Sequence, residues 1–217
     1  MYKGHKIIAL IPAKGNSTRL PNKNIKLMFG KPLVAWSIES ALESKYLDGI
    51  YVSTDSSVIK EIAIKYGVSV IDRPKELCTA DSHIKETLKH TAEIVDTDFI
   101  LLMNPTSPLR YNIDIFLDQF DPEKYDTAAS VEECKKYPWG STDEANMQSL
   151  ELFYYDTGSL YIHKCDYILD GKYWCPDKDR RQPIVTPQYM NYEIDNDLDW
   201  AIVEMLFQKY YILYWRI

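Results

Sequence analysis

Ile7-Ile8-Ala9-Leu10-Ile11-Pro12-Ala13-Lys14-Gly15-Asn16-Ser17-Thr18-Arg19-Leu20-Pro21-Asn22-Lys23-Asn24 changes chemistry part-way along. Residues 7–11 are uninterrupted apolar chain, too short and too continuous for an amphipathic helix. They read as a strand covered on both faces. From Ala13 the chain becomes a polar loop with a glycine, small hydroxyl residues and the cations Lys14, Arg19 and Lys23. In open α/β sheets ligands bind where strands end at their carboxyl edge. Gly15 would let backbone N–H groups approach a phosphate, Ser17 and Thr18 add donors, and the cations can neutralise a triphosphate. The Gly-x-x-x-x-Gly-Lys-Ser/Thr spacing of a P-loop is absent. The competing reading is a solvated basic turn.

Outward from this strand, short apolar runs alternate with helical patterns. A helix begins near Pro32, a good first helical residue, with Val34, Ile38, Ala41 and Leu42 as its inward stripe. Residues 49–53 and 68–71 read as strands. Between them Val58, Ile59, Ile62, Ala63 and Tyr66 recur at helical spacing, with Gly67 as the stop. Ile84, Leu88, Thr91, Ala92 and Val95 predict another helix, and residues 99–103 the strongest strand. This alternation predicts βαβ units and a mainly parallel sheet flanked by helices. The loops at 13–24, 54–55 and 104–110 then share one edge. Beyond residue 130 the pattern loosens. Residues 137–146 read as loop, 158–162 as a half-exposed strand and 167–187 as an excursion rich in turn residues. A last helix opens at Asp197 with Leu198, Ile202, Met205 and Leu206 on one face, followed by an aromatic tail.

The whole chain of 217 residues reads as one domain with an excursion at about 137–190. A net charge of −7 argues against a general nucleic-acid surface, while leaving room for a local basic cluster. No apolar run approaches the ~20 residues of a membrane span. The four cysteines form no Cys-x-x-Cys pair, which speaks against zinc and against a disulfide framework. The expectation is a cytoplasmic protein with free thiols.

Two further segments carry chemistry. Asn104-Pro105-Thr106-Ser107-Pro108-Leu109-Arg110 follows the strongest strand; two prolines make a rigid turn, with Asn104 at the strand end. The alternative is a plain connection with Arg110 in a salt bridge. In Glu193-Ile194-Asp195-Asn196-Asp197-Leu198-Asp199-Trp200, extended chain points Glu193 and Asp195 the same way. Paired carboxylates suit Mg²⁺, which takes one or two carboxylates plus substrate phosphates. Asp197 and Asp199 suit the start of the following helix.

With residues 31–38 (Lys-Pro-Leu-Val-Ala-Trp-Ser-Ile) and 52–56 (Val-Ser-Thr-Asp-Ser), these segments make five markers in order. Together they closely resemble the cytidylyltransferases that activate acidic sugars, above all the N-acylneuraminate enzymes, over residues 6–209. The resemblance implies a Rossmann-like α/β nucleotidyltransferase fold with a small dimerisation extension. It implies a homodimer and transfer of CMP from CTP to an acidic 2-keto sugar, with Mg²⁺ and release of pyrophosphate. By the same resemblance Lys23, Lys14 and Arg19 act on the triphosphate. Ala13, Gly15, Ser17, Asn24, Arg73 and Ser82 form the nucleotide site. Asn104, where the family usually has Gln, contacts the base or sugar, and Glu193 and Asp195 hold the metal. Three departures stand out. Lys14 replaces an arginine, Glu193 replaces an aspartate, and the basic segment expected before Gly158 is replaced by a short acidic stretch. Arg180 or Arg181 would then supply the contact to the sugar carboxylate. Pseudaminic acid, legionaminic acid, Kdn and other substrates stay open beside sialic acid. A sugar-nucleotide-dependent glycosyltransferase and an inactive nucleotide-binding homologue are the alternative readings.

Overall fold

The computed structural model describes residues 1–217 except Thr18, Tyr111, 136–149 and 215–217. Strand β1 (Ile7–Pro12) leads through a hairpin of β2 (Leu27–Met28) and β3 (Lys31–Pro32) into helix α1 (Leu33–Leu42). Then come β4 (Gly49–Thr54), α2 (Ser57–Lys65), β5 (Ser69–Asp72), α3 (Ile84–Ile94) and β6 (Phe99–Met103). The second half holds α4 (Asp114–Leu117), β7 (Thr127–Cys134), β8 (Phe153–Lys164), α5 (Cys165–Leu169), β9 (Arg181–Val185) and α6 (Asp197–Tyr214).

One seven-stranded sheet runs in the order β5-β4-β1-β6-β8-β7-β9. Every pairing is parallel except the two made by β8, which runs against β6 and β7. Burial of β1 on both faces follows from its period of two. Ile7, Ala9 and Ile11 enter the core under α1 and α2, whereas Ile8 and Leu10 enter the core under α3 and α5. β6 divides likewise, with Phe99, Leu101 and Met103 on one side and Ile100 and Leu102 on the other. The α/β fold with a mainly parallel sheet is therefore as the sequence predicts.

Several local expectations change. Pro32 caps α1 rather than opening it, and Leu42 is exposed while Val34, Ile38 and Ala41 are buried. In α2 Ile59 and Ala63 carry the burial and Val58 faces out. α6 buries Trp200, Val203 and Phe207 against Trp36 and Leu33, and Leu198 and Met205 lie on its exposed side. The aliphatic residues of the sequence predict a different face, and two large aromatic rings, Trp200 and Phe207, decide the one that is buried. β7 has no apolar signature, because Thr127, Ala128, Ala129 and Ser130 are small residues that are nonetheless buried. The excursion does not leave the domain as one piece: β8 and β9 both join the central sheet. The predicted loop at 137–146 lies outside the described residues. The tail after Tyr210 continues α6, and Tyr210 stacks on Tyr189 of its own domain.

Candidate active site

At the carboxyl ends of β1, β5 and β6 lies a cleft of about 480 Å³. Residues of the first loop form one wall, and the segment after β5 and the loop after β6 form others. Lys14, Ser17, Arg19, Lys23, Asn24, Arg73, Ser82, Asn104, Glu193 and Asp195 all line it. The structure thus brings together ten residues that are up to 181 positions apart in sequence.

Local chemistry positions each of them. Asn22 adopts the left-handed conformation (φ 55°), which asparagine tolerates, and a single 3₁₀ turn follows. That turn aims Lys23 inward, where its Nζ donates to the carbonyl of Ile194 at 2.6 Å and lies 3.6 Å from Asp195 Oδ1. Burial pulls the Lys23 ammonium below the usual lysine range, and Asp195 and Glu193 oppose that shift. Arg19 Nη1 stands 2.5 Å from Asp195 Oδ2. Asn24 donates to the carbonyl of Lys14 at 2.9 Å and folds the loop on itself. Arg73 donates to the hydroxyl and carbonyl of Ser53 at 3.0 and 2.7 Å, which ties the end of β4 to the cleft wall.

The acidic pair is anchored from below. Asn196 and Asp199 cap α6 reciprocally: Asn196 Oδ1 accepts from the Leu198 and Asp199 amides, and Asp199 Oδ2 accepts from the Asp195 and Asn196 amides. Asp195 is thereby held at the helix entrance. Glu193 Oε1 accepts from the Thr106 hydroxyl at 2.8 Å. Burial raises the Glu193 carboxyl, and neighbouring Asp195 adds to the shift while Thr106 opposes it. Two hard-oxygen carboxylates on one wall of a cleft that also holds Lys14, Arg19 and Lys23 have the donor chemistry that suits Mg²⁺. Among the described residues no larger cluster of His, Cys, Asp and Glu offers a full protein cage.

Three expected residues sit elsewhere. Ala13 is fully buried and its amide donates to Ser53 at 2.9 Å, so it extends the sheet. The Gly15 amide is taken by Asp55 Oδ1 at 2.8 Å, and a Cβ at Gly15 would stand 2.9 Å from Ser56 Cβ. Its glycine requirement is close packing against the start of α2 rather than contact with a phosphate. Arg181 opens β9 and donates to the Cys175 carbonyl at 2.6 Å, while Arg180 pairs with Asp126. Both arginines lie at the amino edge of parallel strands, opposite the cleft. Conversely, Thr79, Thr106, Tyr161 and Tyr173 line the cleft beyond the residues expected from sequence. Tyr161 was legible, because Leu160 and Ile162 point to the opposite core; Tyr173 carries no sequence signal.

The sequence matches the cytidylyltransferase family over residues 8–140. The chain belongs to that family. It is 32% identical over 226 residues to the CMP-N,N'-diacetyllegionaminic acid synthase of Legionella pneumophila, covering 94% of this chain and 97% of that one. It is 31% identical over 187 residues to the N-acylneuraminate cytidylyltransferase of Streptococcus agalactiae, covering 77% of this chain and 45% of the relative, so it spans about half of that protein. Among solved structures, CMP:2-keto-3-deoxy-manno-octonic acid synthetase complexed with CTP superposes with a TM-score of 0.70 at 16% identity, covering 94% of this chain and 99% of that one. A nucleotidyl transferase from Methanothermobacter gives 0.69 at 14% identity, covering 95% and 99%. These two share the fold of this chain.

Proposed function

We propose that this cytidylyltransferase moves CMP from CTP to an acidic 2-keto sugar of the nonulosonate type. The observation that carries the reading is the cleft that holds Lys23, Arg19 and Lys14 opposite Glu193 and Asp195. Near-complete coverage of the legionaminic acid synthase supports a nonulosonate acceptor. The anomeric hydroxyl of the sugar attacks the α-phosphorus and releases its proton to solvent, the bond from that phosphorus to the α,β-bridging oxygen breaks, and pyrophosphate leaves with that bond's electron pair. Lys23, fixed by the Ile194 carbonyl, stabilises charge gathering on the phosphates, and Arg19 and Lys14 add to it from the rim. Arg73, Ser82 and Asn104 orient the nucleotide and the acceptor. Glu193 and Asp195 would hold Mg²⁺, which when bound supplies charge neutralisation at the phosphates.

The protein works as a homodimer in the cytoplasm in this reading. Phe153, Tyr154 and Tyr155 form an exposed aromatic end of β8 suited to a second copy, and all four cysteines are free. Among the described residues no helix is long and apolar enough to cross a membrane.

Pyrophosphate release from CTP against a panel of 2-keto acid sugars tests the function. Release that depends on one of them is the expected result; none with any of them refutes it. In thermal-shift titrations CTP should stabilise more than ATP, GTP or UTP, and at 100 times its Kd it adds about 2.7 kcal/mol over the ligand-free protein. Equal shifts would refute cytidine selectivity.

A further inference from the structure

Arg110 is 1% exposed and makes no ion pair among the described residues. A salt bridge, the plain expectation for an arginine after this turn, is therefore not what it forms. Its guanidinium donates instead to three neutral acceptors: the Ser159 carbonyl, the Ser37 hydroxyl at 2.8 Å and the Asn104 carbonyl at 2.7 Å. Its Nε has no partner among the described residues. Burying a cation without a paired anion is costly, and an apolar side chain of similar volume would avoid that cost while leaving the three acceptors unpaired. What such a chain could not do is hold three carbonyl and hydroxyl oxygens in a fixed fork.

Those acceptors belong to the parts that set the acidic wall of the cleft. The bond to Asn104 closes loop 104–110 on itself, and the bond to Ser159 ties the loop to β8. Asn104 reinforces the tie by donating to the Gly158 carbonyl at 2.8 Å. Inside the closed loop, Thr106 accepts from the Ile194 amide at 2.8 Å through its carbonyl and donates to Glu193 through its hydroxyl at 2.8 Å. On the other side Gly158 has φ +70°, and a Cβ there would stand 2.7 Å from Glu193 Oε2. Glu193 therefore lies between Thr106 and the Gly158 turn, and Arg110 joins the two. Burial pulls the Arg110 guanidinium below the usual arginine range, and Glu193 opposes that shift.

We propose that Arg110 is a positioning residue that pins loop 104–110 to the Gly158 turn and so fixes where the Glu193 carboxylate stands, without touching substrate. The proposal rests on the cytidylyltransferase reading of the cleft. Its test is Mn²⁺ affinity, measured by electron paramagnetic resonance in the presence of a non-hydrolysable CTP analogue, beside kcat and the KM for CTP. Arg110→Met should weaken Mn²⁺ binding and lower kcat by roughly 10–100-fold, as for other groups that orient metal ligands, with the KM for CTP within about threefold of wild type. Arg110→Lys keeps the charge but loses the fork, and should stay impaired. Gly158→Ala should weaken Mn²⁺ binding from the other side, and adding Glu193→Asp, which withdraws the carboxylate from the new Cβ, should recover part of it. Should Arg110→Met fail to fold, Arg110→Lys and the Gly158 pair decide the matter alone. Wild-type Mn²⁺ affinity in either Arg110 variant, full restoration by lysine, or no coupling between Gly158 and Glu193 would overturn the proposal. A wild-type protein that binds no CTP would instead overturn the reading beneath it.

Discussion

Lys23 is the side chain whose surroundings most constrain its role. An ammonium 9% exposed, bonded to a main-chain carbonyl and flanked by Asp195, cannot swing into solvent. It is preorganised for charge developing on a bound phosphate, and loss of one such donor typically removes ~10²–10³ in kcat. Lys23→Ala should show a loss of that size in a pyrophosphate-release assay while circular dichroism stays unchanged; near-normal turnover would reduce the loop to a solvated turn. Asp195 and Glu193 should separate in their behaviour. Asp195 stands at the helix cap within reach of Arg19 and Lys23, whereas Glu193 leans on Thr106. Asp195→Asn should abolish turnover at every Mg²⁺ concentration, and Glu193→Gln should recover part of it with high Mg²⁺ or with Mn²⁺. Metal titrations of both variants check this, and a fully active Asp195→Asn enzyme would confine the segment to capping α6.

At the scale of elements, α6 shows how the chain selects a helix face. Leu198 and Met205 are 69% and 62% exposed, while Phe207 is 3% exposed and packs on Trp36 with ring centroids 4.7 Å apart. Phe207→Ala should cost about 3–5 kcal/mol, the usual range for a buried phenylalanine, and Leu198→Ala should change stability by less than ~0.5 kcal/mol. Urea denaturation of the two variants distinguishes this face from the aliphatic one read off the sequence; equal losses would restore the latter. The same contrast explains which elements were legible. β1 and β6 are continuous apolar runs because helices cover both faces. β7 is buried through alanine, serine and threonine, whose burial depends on neighbours that arrive from residues 153–164 and 181–185.

Across the whole molecule, charge is distributed between the two edges of the sheet. The carboxyl edge gathers the cleft cations. The amino edge carries Asp126, whose side chain is 1% exposed and is bound by Arg180 and Lys164. The Arg180 guanidinium, foremost, holds the Asp126 carboxyl down at about 2. A folded-state value below the unfolded one means stability that is present above pH ~4 and lost as pH falls toward 2, about 2 kcal/mol in all. His163, enclosed by Tyr161, Tyr173 and Trp174, is pushed down by burial to about 3. It must stay neutral to remain buried, so its contribution is complete above pH ~6.5 and declines below that as the unfolded chain takes up the proton. Stability against pH should therefore fall gradually from 6.5 and more steeply below 4. His163→Leu should flatten the first limb and Asp126→Asn the second, in urea titrations from pH 8 to 3; unchanged limbs would refute the assignment.

The sequence by itself determined the strand-loop units of the first half, the shared edge on which their loops meet, and the segments that carry cations and carboxylates. Those features are local: a buried strand must be apolar, a tight turn needs its proline or asparagine, and a helix cap needs its side-chain acceptor. Only the tertiary structure decided which of those groups face one another. It turned Arg181 to the far edge, gave the Gly15 amide to Asp55, added Tyr173 to the cleft, and placed Arg110 between Asn104 and Ser159. The physical reason is that a side chain's partners depend on strand order and direction. β8 runs against its neighbours and so delivers Gly158 to the carboxyl edge, where Glu193 meets it, and no spacing along the chain encodes that reversal.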